Sequence, residues 1–405
     1  MRKLSAWVGL IVAAAIGAAV SLGALVLFAP VAPYFWMLIL LPLLVGALAA
    51  AGLARLVARR AGLARRTGSA LAATVAILPL GGLVAAMLLS PHQARAEAGA
   101  DPRGPHRLLR TPTGASIAWW SLEPSRAPRR TPVVFIHGGP GDLVRPRDFD
   151  VGAGFRDAGF RTVFYDQAGG GASGDRPIGD YTVANAVADL DALRTALGAD
   201  KLVLWGQSWG ASLATAYLRA HPDRVAATIL ESPGDFPGEP VPLDYSRTDS
   251  RGGFKPTLRD ATIYLLIGHA PQLAEAWQDQ PYTRATHQAR AAKTTHMYGY
   301  QCKDAASPLP RPVSPGGHNL YPQLRLQADL EGQQRVAGQL SDAPMLLVRG
   351  DCDFIPAATA ARYMRAFPAG TRVDVPARGH GFFGHDDELR AILNRYASTT
   401  LGRLP

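Results

Sequence analysis

Gly206-Gln207-Ser208-Trp209-Gly210 places a hydroxyl between two glycines, after the apolar run "LVLW" and before the helix-forming "ASLATAYLRAH". A serine becomes a nucleophile toward an acyl carbon when a base takes its proton and a third group orients the base. A strand, a strained turn and a helix lift such a serine above a sheet, and the helix N-terminus adds a positive field for developing negative charge. Two later loops supply the other groups. "MLLVRGDCDFIP" ends a strand near Asp351 and Asp353, and "RVDVPARGHGFF" brings His380 after the next strand. Asp353 is preferred because it leaves Gly350 to make the turn, with Asp351 the competing acid. His385 competes with His380 but has no strand leading to it. "VVFIHGGPGD", residues 133–142, ends another strand on glycines whose backbone can approach a ligand closely. The N–H groups of Gly139 and Trp209 are the expected donors to a tetrahedral oxyanion. His137 is expected to order the glycine loop by hydrogen bonding.

The elements that must position these residues alternate along the chain. Short apolar runs read as strands at 117–120, 133–137, 162–165, 202–205, 227–230, 345–348 and 372–375. Helical segments lie between them near 149–158, 183–197, 208–219, 357–366 and 388–396. Such alternation predicts a mainly parallel sheet covered by helices, with its site on the loops after the strands. Residues 233–342, rich in Pro, Gln, Arg and aromatics, interrupt the rhythm and read as a mostly helical cap inserted into a core of 106–232 and 343–405.

The N-terminal part is of another kind. Residues 1–90 contain no Asp or Glu, and their only charges are Arg2, Lys3, Arg55, Arg59, Arg60, Arg65 and Arg66. They account for most of the formal +10, leaving 35 basic against 32 acidic residues from Pro91 onward. The basic balance is therefore a membrane signature, and no nucleic-acid partner is expected. The uncharged run from Leu4 to Ala54 would rise about 75 Å as one helix, against about 30 Å for a bilayer core. It must fold back at Pro30 and Pro33. Three transmembrane helices are expected, about 4–29, 34–54 and 69–89, before a tether at 91–105. Lys and Arg placement puts the N-terminus and the Arg-rich loop in the cytoplasm, so a multi-pass protein of the cell membrane should carry its remaining domain outside. An exported setting permits a disulfide between Cys302 and Cys352, the only cysteines, with two buried thiols as the alternative. Scattered histidines and no CxxC pair give no metal-ligand spacing. Neither metal nor cofactor is expected.

From about Pro105 onward the chain resembles the proline iminopeptidase branch of the α/β-hydrolases. That branch combines an HGGPG loop, a D-Q-R-G-x-G-x-S motif, a G-G-S-W-G turn, a late G-x-x-D and a G-H. The corresponding residues here are His137 to Gly141, "DQAGGGAS" from Asp166 to Ser173, Gly206 to Gly210, Gly350 to Asp353 and Gly379-His380. The resemblance implies an α/β-hydrolase fold with a helical cap and a serine hydrolase releasing N-terminal residues from small peptides. It makes Ser208 the nucleophile, His380 the general base, Asp353 the orienting acid, and Gly139 with Trp209 the oxyanion hole. Three departures bear on substrate. Ala168 stands where the branch has arginine, Gln207 where it has glycine, and "AEAWQDQ" offers Trp277 followed by Gln278 where the branch has a W-E pair. Glu275, with Trp277, is then the candidate to hold a substrate ammonium, which needs a carboxylate partner when buried. Alternatives are a carboxylesterase or lipase-like hydrolase acting on esters, and a hydrolase-fold binding or sensing module without catalysis.

Overall fold

The computed structural model describes residues 2–28, 37–62, 101, 103–124, 128–249, 258–293, 300–305, 318–335 and 338–403. In chain order the elements are α1 (Arg2–Phe28), α2 (Met37–Ala61), β1 (Arg107–Arg110), β2 (Ser116–Leu122), β3 (Val133–Ile136), α3 (Pro146–Asp157), β4 (Thr162–Tyr165), α4 (Val183–Ala196), β5 (Leu202–Gln207) and α5 (Trp209–Ala220). They continue as β6 (Val225–Glu231), α6 (Leu258–His269), α7 (Pro271–Trp277), α8 (Gln280–Lys293), α9 (Leu320–Glu331), β7 (Met345–Gly350), α10 (Ala357–Ala366), β8 (Thr371–Val375) and α11 (Asp386–Thr399). Two compact units result, one of Met1–Gln93 with Arg259–Asp279, the other of Ala94–Leu258 with Gln280–Pro405.

In the first unit α1 and α2 form an antiparallel hairpin with a seam of small residues. A Cβ on Gly17 would stand 2.6 Å from that of Ala50, and one on Gly46 would overlap the Ser21 hydroxyl. Close backbone approach through small residues is how apolar helices associate where burial of apolar surface gives no drive. The stretches Ala6–Ala24 and Leu40–Arg60 are long and apolar enough to cross a membrane by length and composition. The second helix outruns the expected 34–54, because Leu56, Val57 and Ala58 prolong the apolar helix. Arg59 and Arg60 then occupy its last turn, where cations complement the helix dipole. The expected third span, 69–89, lies outside the described residues.

The second unit holds an eight-stranded sheet in the order β1-β2-β4-β3-β5-β6-β7-β8. Strand β2 runs antiparallel to β1 and β4, and the rest pair in parallel. Seven strands fall where the apolar runs predict them. β1 does not, because an edge strand of the sequence Arg-Leu-Leu-Arg, paired on one side and mostly exposed, carries no buried apolar run. The core gathers Val133, Phe135, Phe164, Val203, Trp205, Ile229 and Val348 from the strands against Phe155, Leu389 and Leu393 from α3 and α11. Register aligns Ile136 with Gly206, Gln207 with Glu231, and Gly350 with Val375. The loops after β3, β5, β6, β7 and β8 therefore leave one edge of the sheet together.

The insertion at 233–342 contributes no strand to the sheet; among its described residues α6 to α9 are helical, while 233–249 and 300–305 are irregular. It is not one cap. Residues 259–279 cluster with the N-terminal hairpin, while α8 and α9 stay with the sheet. The reason is apolar burial: Leu266, Ala270 and Leu273 pack with Phe28 at the end of α1.

The expected tether is also pinned at its described end. Arg103 donates to Asp166 at 2.7 Å, to Asp101 and to the Val144 carbonyl, and its guanidinium lies 4.3 Å from the Trp120 ring. Asp166 completes its shell with the N–H groups of Val144 and Ala172. Both partners are almost fully buried. Removing one member of a buried, hydrogen-bonded pair strands the other charge, so Arg103→Met should destabilise this unit by about 3 kcal/mol or more. Denaturant unfolding followed by tryptophan fluorescence should register that loss, and Arg103→Met with Asp166→Asn should recover part of it.

Candidate active site

The turn after β5 is built by close approach of backbone. A Cβ on Gly206 would lie 2.3 Å from the Gly210 carbonyl oxygen, and one on Gly210 would lie 1.9 Å from that of Ile136 on β3. Both glycines of the G-x-S-x-G stretch are therefore required by contact. Between them Ser208 adopts φ 55° and ψ −120°, a conformation that non-glycine residues tolerate only when their surroundings enforce it. The enforcing bonds are Ser208 N–H to the Glu231 carbonyl and Gly234 N–H to the Ser208 carbonyl, both 2.9 Å. The serine stands at the N-terminus of α5 with its side chain free of a capping bond.

The loops after β7 and β8 bring the acid and the imidazole together. Asp353 Oδ1 lies 2.8 Å from His380 Nδ1, both side chains being buried, and also accepts the Ile355 N–H. The ring thus donates from Nδ1 and leaves Nε2 as the acceptor, the tautomer a general base requires. Asp351 does another job: its Oδ1 accepts the Ala377 N–H while Oδ2 faces Arg247. His385 sits at the N-cap of α11. His380 is further held by rings, with Phe354 at 4.2 Å and Tyr300 edge-on at 5.8 Å between centroids. The Cys302–Cys352 disulfide is formed, its Cα atoms 5.2 Å apart. It joins a segment of the insertion to the residue before Asp353.

The glycine loop after β3 closes on the same turn. A Cβ on Gly138 would come 3.1 Å from Ser208 Cβ, and one on Gly381 would come 2.8 Å from Gln207 Nε2. Gln207, where the branch has glycine, therefore fills the gap between the glycine loop and the His380 loop. His137 Nε2 accepts the Gln167 N–H at 3.0 Å, so its Nδ1 donates to the Gly138 carbonyl at 2.8 Å. Burial keeps its pKa below the usual histidine value, which suits this neutral role. Gln167 also donates to the His137 carbonyl and accepts from Trp209 Nε1, both 2.9 Å. Among the described residues the N–H groups of Gly139 and Trp209 reach no acceptor, which leaves both free to serve a ligand. No direct bond joins the Ser208 hydroxyl to His380 among the described residues; such contacts often tighten only when substrate is bound.

Sequence reasoning missed several supports. Ser232, itself at φ 43°, accepts the Gly381 N–H at 3.0 Å and so fixes the turn of His380. Asn319 donates to the Gly169 carbonyl at 2.9 Å while its backbone N–H bonds the Gly141 carbonyl, tying α9 to both glycine-rich loops. Only Gln167 had a visible signal, standing inside the quoted "DQAGGG". Ala168 lines a small cavity with Tyr165, Arg176, Tyr181 and Asp189. Glu275 and Trp277 do not join the site residues' unit: they belong to Arg259–Asp279, with Glu275 exposed and Trp277 buried.

Comparison with known proteins finds relatives over part of the chain. The pattern of the α/β-hydrolase fold family matches residues 131–264. A proline iminopeptidase of Neisseria meningitidis is 41% identical over 113 residues, 27% of this chain and 34% of that protein. A probable proline iminopeptidase of Streptomyces coelicolor is 34% identical over 134 residues, 31% of this chain and 39% of that one. The chain thus spans about a third of the length of these curated relatives. Among solved structures, an esterase from Exiguobacterium antarcticum superposes with a TM-score of 0.48 at 18% identity, covering 72% of this chain and 99% of its own.

Behind the turn, Glu231 is buried with Oε2 accepting from Trp205 Nε1 at 3.0 Å. Burial pushes its pKa from the ordinary 4.5 up to about 8. The folded protein then holds a proton that the unfolded chain releases between those values, so stability falls as pH rises through this window. The slope is roughly 1.4 kcal/mol per pH unit. Thermal unfolding from pH 5 to 9 should show this decline, and Glu231→Gln should flatten it. The chain carries an α/β-hydrolase domain that is proline iminopeptidase-like over the part the two share.

Proposed function

We propose that the chain is a membrane-anchored serine hydrolase of the aminopeptidase kind, releasing N-terminal residues from small peptides through an acyl-enzyme. The observation that carries the reading is the buried 2.8 Å bond between Asp353 and His380, at the sheet edge where Ser208 holds its left-handed conformation. In this mechanism Ser208 Oγ attacks the acyl carbon while its proton passes to His380 Nε2. Asp353 stabilises the imidazolium, and the Gly139 and Trp209 N–H groups receive the oxyanion. Collapse returns the proton to the departing amine. A water, deprotonated by the same imidazole, then releases the acyl group and regenerates Ser208.

Anchoring rests on the two apolar helices, with arginines at the start of α1 and the end of α2 marking the cytoplasmic side. The packing of 259–279 against Phe28, the opposite end of α1, supports an outward domain, which requires the expected third span, 69–89, to recross the membrane after α2 returns the chain to the cytoplasmic side. A second reading, an esterase, is favoured by one observation: Gln278 follows Trp277 where the branch has a glutamate, so the carboxylate of the W-E pair is missing.

The full chain in detergent should cleave a prolyl arylamide with much higher kcat/KM than its N-acetylated twin. Ser208→Ala should lower kcat by a factor on the order of 10⁶. Equal rates on the pair, or turnover of simple esters alone, would favour the esterase. Activity untouched by Ser208→Ala would overturn both readings.

A further inference from the structure

We infer that the helix pair α6–α7 is a membrane-interface element, with Tyr264 and Leu265 seated in lipid beside the end of α1; this rests on the reading of α1 and α2 as an anchor. The sequence of α6 contains five consecutive large apolar residues, Ile263 to Ile267. Such a run cannot be buried on one side of a helix, because its residues are spread around the axis. Ile263 and Ile267, four apart, are almost fully buried, and Leu266 packs into the cluster of Ala270, Leu273 and Phe28. The opposite face presents Tyr264 and Leu265, which are 39% and 50% exposed.

What covers that face follows from its neighbour. Phe28 is the last residue of α1, and Leu27 beside it is exposed, as are Trp7, Val8, Ile11, Val12, Ile16 and Leu22 along the helix. In a spanning helix these side chains meet acyl chains. A helix packed on Phe28 therefore lies at the level where acyl chains give way to headgroups, and its exposed apolar face continues the lipid-facing surface of α1. The chemistry suits that depth: a tyrosine is at home at the interface. His269, Gln272 and Glu275, all exposed, offer polar groups to headgroups and water. Apolar burial to that shallow depth is how an interfacial helix binds a bilayer. The occupant is thus the outer leaflet, and the insertion between β6 and β7 is held to the membrane at a point separate from the N-terminal spans.

The test uses the full chain reconstituted in bilayers containing a phospholipid with a photoactivatable carbene precursor on its acyl chain, followed by peptide mapping. Peptides from α1 and α2 should be labelled, and the peptide covering 259–279 should be labelled several-fold above those containing Leu108 and Leu243. These two leucines, exposed in the other unit, serve as the controls. Tyr264→Gln with Leu265→Gln should remove the label from 259–279 and leave that on α1 unchanged. Labelled α1 and α2 with 259–279 no higher than the controls would overturn the inference and keep the anchor; a second copy covering the face would give this result. Unlabelled α1 and α2 would instead overturn the anchor, and the inference with it.

Discussion

The site depends on how closely the backbone after β5 can approach β3. Gly210 sits against the Ile136 carbonyl, and Gly206 against Gly210, at distances that exclude any side chain. That contact forces the sharp turn, holds Ser208 in the left-handed region and aims the first N–H groups of α5 at the space above the sheet. Any larger residue would push α5 away from β3 and relax the turn. The glycine loop that continues β3 is then necessarily beside the serine, so the proposed nucleophile and oxyanion donors come from one constraint.

Polar groups under this turn are paired in ways that fix it further. His137, Gln167 and Trp209 form a closed set of hydrogen bonds joining the glycine loop, the "DQAGGG" loop and α5. Buried networks of this kind specify one arrangement when fully satisfied. Arg103 neutralises Asp166 beneath the same loop, so a residue within the expected tether is part of the site's foundation. On the other side, Ser232 and the Cys302–Cys352 bridge restrain the loops of His380 and Asp353. His380 is therefore oriented by a carboxylate at one nitrogen and by Phe354 against its face.

Much of this was legible in the sequence because strand–loop–strand order converts directly into spatial order in a parallel sheet. Once five apolar runs end on chemically marked loops, the sheet edge brings Ser208, Asp353 and His380 to one side. The preference for Asp353 over Asp351 followed from the turn at Gly350, and hydrogen bonding places Asp353 on His380. Less was legible where tertiary contacts decide. Ser232 reads as an ordinary residue after a strand, and nothing local pairs Arg103 with Asp166 across 63 positions. The division of the insertion was hidden as well. The apolar run of α6 looks like a cap core until Phe28 is seen beside it, and Glu275 and Trp277 leave the site's unit with that helix.

The most direct test of the account is covalent. The folded full chain would be treated with a fluorophosphonate and the adduct mapped by tandem mass spectrometry, in the parent protein and in His380→Ala. The account predicts a single adduct on Ser208, formed rapidly in the parent and very slowly once the imidazole is gone. A folded chain that stays unlabelled, carries its adduct elsewhere, or reacts equally fast without His380 would contradict the assignment of a serine nucleophile activated at this turn.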